Sequence, residues 1–234
     1  MARRRINTTK YEIIRTGTRL FLEKGYSATT PKRICEELNI STGNLTYYFP
    51  TKEHLLAVLV DMLCTFQYKT MQDMVQEEGT TSLLAVCLEL AAMAAMSEES
   101  QIAKEFYLAS YTSPLCLEII RKNDAKRSRL IYGKFCPDWA KPRYAEAEAL
   151  VSGIEYATIM TTDDSVDLES RITAALDNIM KIYNVPEDTR GRKINQVLAM
   201  DYRALGRRIL SQFKEFVEQT NEQTFEMLLS GDEE

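Results

Sequence analysis

The chain has 234 residues, 45% of them hydrophobic and 27% charged, with only 9 glycines and 6 prolines. That is enough apolar material for one large or two modest cores, and it excludes a disordered or collagen-like chain. The net charge of −5 conceals a division: residues 1–55 hold 10 Lys/Arg against 5 Asp/Glu, a net of +5, and the remainder 19 against 29, a net of −10. A basic head is suited to phosphate and an acidic body is not.

Residues 1–8 form a basic arm, read either as a solvated terminus or as a phosphate contact beside the first helix. Arg3, Arg4 and Arg5 precede a polar segment rather than an apolar one, so no signal peptide is expected. Thr9 and Glu12 have the spacing of a capping box. Ile13, Gly17, Leu20 and Phe21 make the inner stripe of the first helix, and Gly25 closes it. Thr30 then supplies an N-cap hydroxyl, with Pro31 at the first helical position. This second helix runs to Leu38, with Ile34 and Leu38 on one face. Asn39-Ile40-Ser41 is a turn, and Ser41 or Thr42 caps a third helix that ends by Phe49, ahead of Pro50. Thr51 starts the next helix at Lys52-Glu53-His54.

Leu45 and Phe49 share one face of the third helix, with Tyr48 at the margin. Gly43, Asn44, Thr46 and Tyr47 point away from that face. So short a helix is held by its apolar side. It offers hydroxyl, amide and phenol groups suited to base edges and phosphates in a major groove. Thr30 and Thr42 present groups to phosphate, Gly43 permits close approach, Asn44 and Tyr47 reach into the groove, and Lys52 pairs with phosphate. The predicted DNA-binding set is Thr30, Ser41, Thr42, Gly43, Asn44, Thr46, Tyr47, Tyr48 and Lys52.

From Tyr11 to Leu56, about the first quarter of the chain, the sequence resembles the DNA-binding domain of TetR-family transcriptional repressors. The resemblance rests on RTGTRLFLEKGYSATTPKRI followed by STGNLTYYFPTKEHLL. The chain departs from the pattern at Thr46, where similar members often carry tyrosine, and at Pro50, commonly polar or basic. The resemblance implies a helix-turn-helix head over residues 1–55 and a helical regulatory and dimerisation body over 56–234. It also implies a homodimer on an inverted-repeat operator and a small-molecule effector bound in the body.

In the body, a long helix runs from Lys52 to about residue 78 and joins head to body mechanically. Gly79-Thr80-Thr81 breaks it. Residues 83–96 are the most apolar stretch but include Glu89 and fall short of the roughly 20 residues of a membrane span. They read as a buried helix near 82–96, with others near 98–111, 114–135 and 142–162. The pairs Glu98-Glu99 and Asp163-Asp164 read as helix-start carboxylates. Arg121, Lys122, Lys126, Arg127 and Arg129 read as a solvated face.

Helix 142–162 carries small residues, and helix 166–183 carries an apolar stripe. The TetR resemblance assigns both to a dimer interface, with Ala149, Gly153, Ile172, Leu176 and Ile179 as candidates; packing within one chain is the alternative. Residues 190–229 repeat apolar positions from Ile194 to Phe216 and read as an added long helix, with Gly206 as a candidate break. That helix is expected to cover the interface, cross to the partner, or enlarge the core. The acidic end, residues 231–234, reads as a solvated tail.

Five cysteines form no CxxC pair, and His54 is the only histidine, so no zinc site is expected and the thiols read as reduced in a cytoplasmic protein. Nor is a cofactor expected. No nucleophile–base pair or glycine-rich phosphate loop emerges, which argues against an enzyme. Aromatic and methionine residues concentrate in the body, where a bundle could hold a largely apolar or amphipathic guest. The candidates are Phe66, Met93, Phe106, Tyr107, Tyr111, Tyr132, Trp139 and Tyr156. The leading expectation is therefore a ligand-released homodimeric repressor. The alternatives are a regulator controlled by a protein partner, an activator, or a helical enzyme or adaptor with a vestigial head.

Overall fold

In the computed structural model, residues 2–76, 81–161 and 166–230 are described, and among them regular structure is entirely helical. The head consists of α1 (Ala2–Lys24), α2 (Pro31–Leu38) and α3 (Thr42–Tyr48), followed by the connecting α4 (Lys52–Gln76). The body continues with α5 (Ser82–Glu99), α6 (Gln101–Thr112), α7 (Pro114–Tyr132), α8 (Lys141–Met160), α9 (Leu168–Ile182), α10 (Glu187–Leu198) and α11 (Tyr202–Ser230). No described helix is long and apolar enough to cross a membrane.

α1 starts at Ala2, so the basic arm continues the helix, and Thr9 lies inside it rather than at a cap. Gly25 ends α1 with φ +88°, a conformation that costs glycine little. α4 begins in the head and finishes in the body, and a Cβ on Gly17 would fall 2.2 Å from a Leu55 methyl. Glycine there lets α1 lie against the first turns of α4. α5 is the central helix: Leu88 is fully buried, as are Ala91, Ala92 and Ala94, whose small side chains let neighbouring helices come close.

Several expectations are corrected. Glu98 and Glu99 end α5 instead of starting α6, the opposite end of the dipole from the one that favours carboxylates. Cations offset this: Arg171 and Arg203 pair with Glu98, and Arg203 and Arg207 with Glu99. Ser100 separates the two helices, its Oγ accepting the N–H of Ala103. Asp163, Asp164 and residues 231–234 lie outside the described residues; the cap of α9 is Asp167, whose carboxylate accepts the Ser170 N–H at 2.9 Å. The Gly79-Thr80-Thr81 break also lies outside them, except that Thr81 caps α5.

The added C-terminal segment is two helices. They are broken at 199–201, where Asp201 accepts the Ala204 N–H at 2.8 Å, and not at Gly206. Gly206 is instead the close contact of α11 with α5: a Cβ there would meet Met96 Cγ at 2.9 Å and the Ala92 carbonyl at 3.0 Å.

Ile172, Leu176 and Ile179 are buried within the protomer, because the apolar stripe of α9 faces α5, α8 and α10. As placed they are not open to a partner, which corrects their assignment to the dimer interface. Ala149 and Gly153 are exposed on α8, in a stripe with Leu150 and Tyr156.

Candidate functional site

Local chemistry builds the head's outer face. Thr30 Oγ accepts the Arg33 N–H at 3.2 Å and starts α2. Asn39 takes the left-handed conformation, φ 51°, and its N–H closes onto the Cys35 and Glu36 carbonyls. Ser41, not Thr42, caps α3, its Oγ accepting the Asn44 N–H at 3.2 Å. Leu45 and Phe49 are buried, so the opposite side of α3 is turned outward. Thr30, Ser41, Thr42, Gly43, Asn44, Thr46 and Tyr47 are all exposed, Tyr47 to 74%. Tyr48 is half-buried and meets the Tyr47 ring edge-on at 4.9 Å. The Thr46 hydroxyl donates back to the Thr42 carbonyl at 3.0 Å, which leaves its oxygen to accept.

Lys52 departs from the expected arrangement. Its ammonium donates to the Tyr26 carbonyl and sits 3.7 Å from the centre of the Tyr26 ring. The side chain thus ties α4 to the α1–α2 turn instead of pointing to the outer face, and burial lowers its pKa. Lys32 and Arg33, exposed on α2, are cations near this surface that the sequence reading missed. The positive charge of the head was the signal for them.

The body's interior is more polar than the aromatic count suggested. A cavity of about 30 Å³, room for little more than a water molecule, lies among α5, α7, α8 and α9. Its polar lining includes Asp124, Arg127, Ser128, Glu148, Glu155 and Tyr183, against Val86, Leu90, Val151 and Ile179. Arg127, read from sequence as solvated, is buried between Glu89 at 2.8 Å and Asp124 at 3.8 Å. Arg121 also turns inward, to Ser152 at 2.9 Å, whereas Lys122, Lys126 and Arg129 are exposed.

Four carboxylates face this one buried guanidinium. Burial pushes Asp124 up to about 7, opposed by Arg127 and reinforced by Glu148 and Glu89. Glu155 is raised well above the usual carboxylate range by burial and by Asp124 and Glu148, and it accepts from the Tyr111 hydroxyl at 2.9 Å. Glu148 is raised by burial and tempered by donors, Ser128 at 2.6 Å and Tyr183. Asp124 and Arg127 also line a surface cleft of about 350 Å³ between α4 and α7, so they stand as the wall between interior and solvent.

Of the eight candidate ligand residues, Tyr132 lines the cavity and Tyr111 reaches it through Glu155. Phe66 and Phe106 are covered by Phe213 of α11, at ring distances of 5.4 and 6.3 Å. Met93 and Tyr107 are core residues. Trp139 packs on Tyr144 and Tyr183 beside Arg143, outside the cavity lining. Tyr156 lies exposed on α8. The charged residues that do line the cavity carried a signal: Glu148 and Glu155 keep step with buried Val151 on α8, so carboxylates fall on the buried face.

The five cysteines are buried free thiols, and burial holds Cys64 and Cys87 at about 12, far from a reactive thiolate.

A short polar-faced helix, set on a capped partner by a tight turn, defines a helix-turn-helix DNA-binding fold. Residues 13–59 match the model of "Bacterial regulatory proteins, tetR family". Two Bacillus subtilis (strain 168) proteins share this segment. YuxN, named an uncharacterized HTH-type transcriptional regulator, is 43% identical over 58 residues, which is 25% of this chain and 19% of YuxN. YerO, named likewise, is 45% identical over 51 residues, 22% of this chain and 18% of YerO. The matched segments thus span about a fifth of those relatives. Over the longer chain, the fold is similar to that of RolR solved without ligand, with a TM-score of 0.56 and 18% identity over 79% of this chain and 95% of RolR. Residues 13–59 are thus similar to the TetR-type helix-turn-helix segment, and the likeness to RolR extends the similarity of fold into the helical body.

Proposed function

We propose that this protein is a cytoplasmic, sequence-specific DNA-binding regulator, a homodimeric repressor released from an inverted-repeat operator by a small amphipathic molecule. The observation that carries the reading is α3, anchored by Leu45 and Phe49 with Thr42, Gly43, Asn44, Thr46 and Tyr47 outward. Tyr47 and Asn44 reach base edges, while Thr30, Ser41, Thr42, Lys32 and Arg33 meet phosphate. The DNA-binding and regulatory parts divide near residue 55, inside α4, so a tilt of α4 moves the head. Selection from a random DNA pool tests the reading: an enriched inverted repeat supports it, and a pool without enrichment overturns it.

The exposed stripe of α8 supports pairing of two copies, placing two heads about a DNA turn or more apart. A Cβ on Gly153 would meet nothing within 4 Å in the single chain, so the side chain of Gly153→Arg starts from open space on the protomer. Sedimentation at micromolar concentration is expected to show a dimer for the natural chain and a monomer for Gly153→Arg. A natural chain that sediments as a monomer with and without DNA refutes pairing.

The cavity marks where such an effector would bind, with apolar surface against Val151 and Ile179 and polar groups against Asp124, Arg127 and Glu155, but at about 30 Å³ it must widen to admit one. Such a ligand must bind the DNA-free state more tightly, and operator must weaken its binding by the same factor. The small size of the cavity favours a second reading, control by a protein partner. Binders found by screening, measured with and without saturating operator, separate the two: equal affinities throughout favour the partner.

A further inference from the structure

α11 is 29 residues long, about 43 Å at 1.5 Å per residue, and its two ends have different work. Its first turns are fastened to the body. Gly206 sits against α5, and Arg207 reaches Glu99 at 2.8 Å. Phe213 then packs on Phe66 of α4 and Phe106 of α6. Beyond it the helix leaves the body and lies along α1 of the head, where Val217 is 2% and Asn221 8% exposed. The Asn221 amide donates to Thr18 Oγ1 at 3.1 Å. Thr18 is fully buried and spends its own proton on the Ile14 carbonyl at 2.8 Å. Its oxygen is therefore left as an acceptor, and only a donor satisfies it.

The position of this contact on α1 matters. Gly17 faces Leu55 of α4, and Thr18, the next residue, faces Asn221 of α11. Successive residues on a helix point about 100° apart. The two supports therefore grip α1 from different sides. α6 also holds the head at the α1–α2 turn, where Glu105 accepts the Ser27 N–H at 3.1 Å. α11 adds a support on a further side of α1, along the helix itself, and so restrains the rocking about the first turn of α4 that contacts at the turn leave open. The grip is also local. Between α1, α2 and α11 lies an open groove of about 520 Å³, with Val217 and Asn221 on its α1 side and Leu38 and Phe225 across it, so the end of α11 stands off from α2.

We infer that α11 is a clamp on the head, gripping through Val217 and Asn221, and that it sets the half-site spacing a paired protein accepts on DNA. The spacing part rests on the dimeric, DNA-binding reading; the clamp itself does not. Fixing the angle of each head on its body fixes the separation of the two recognition helices. A freely rocking head would adjust to neighbouring spacings at little cost.

The test uses the full chain, the milder Asn221→Ala and the stronger Val217→Asp. Hydrogen exchange is followed in α1 and, as a control for global unfolding, in α8. Binding is measured to the duplex enriched from a random pool and to copies lengthened at the centre by one and two base pairs. Both variants are expected to exchange about tenfold faster in α1 with α8 unchanged. Each should lose about threefold or more of the preference for the natural spacing while still binding it. Unchanged exchange in α1 overturns the clamp, and faster exchange with an unchanged spacing preference overturns its role in specificity. If Val217→Asp also loosens α8, Asn221→Ala decides. A pool that enriches nothing refutes the DNA-binding reading instead, and exchange in α1 still decides whether α11 holds the head.

Discussion

Arg127→Leu is expected to cost about 3–5 kcal/mol of stability near neutral pH, because it leaves buried carboxylates without their cation. Arg127 is the guanidinium that lines the cavity, and Glu89 at 2.8 Å and Asp124 at 3.8 Å lose their partner together. The loss should shrink toward about pH 5, below the value of about 7 at which Asp124 titrates, where that carboxyl is protonated and no longer needs a cation. Urea unfolding at the two pH values measures this directly. A loss under about 1 kcal/mol at both would mean that water screens the group.

The same cluster predicts the pH dependence of the natural protein. Asp124 titrates at about 7 in the folded chain against an ordinary 3.8, so between those values the folded state holds a proton that the unfolded state has released. Stability from this group is therefore greatest at the acid end of the window and falls as pH rises through about 7, by on the order of 2–4 kcal/mol. Asp124→Asn should flatten that fall. A body equally stable from about pH 5 to pH 8, with or without the substitution, would contradict the burial argument.

The second large effect separates the two faces of α3. Phe49→Ala removes a ring that is 7% exposed and should cost about 3–5 kcal/mol. Tyr47→Ala removes a ring that is 74% exposed and should change stability by no more than about 0.5 kcal/mol. It should nonetheless abolish most of the preference for the enriched duplex over random DNA. Thermal unfolding and DNA titration on both variants give the comparison. Equal losses of stability would show that α3 is not anchored as described.

What could be read from the sequence was local chemistry. Thr30 before Pro31, Ser41 before the third helix and Gly25 after the first act within three or four residues of themselves, so helix ends and the outward face of α3 needed no knowledge of the remaining chain. Lys52 broke that rule. Its ammonium had two destinations, phosphate or the Tyr26 carbonyl, and only the approach of the α1–α2 turn chose between them.

The body was decided by tertiary structure, because its determining pairs are remote in the chain. Arg127 and Glu89 are 38 residues apart, and Asn221 and Thr18 are 203 apart. A period of three to four residues shows that α9 and α11 each have an apolar stripe, but not what covers it. The stripe of α9 carrying Ile172, Leu176 and Ile179 turned out to be filled by its own chain, and α11 reached the head. A charged residue on a helix's buried face likewise shows that it must be satisfied, without showing by which partner. Only packing sets that choice, since burying a charge is tolerable solely where the fold delivers its counterpart.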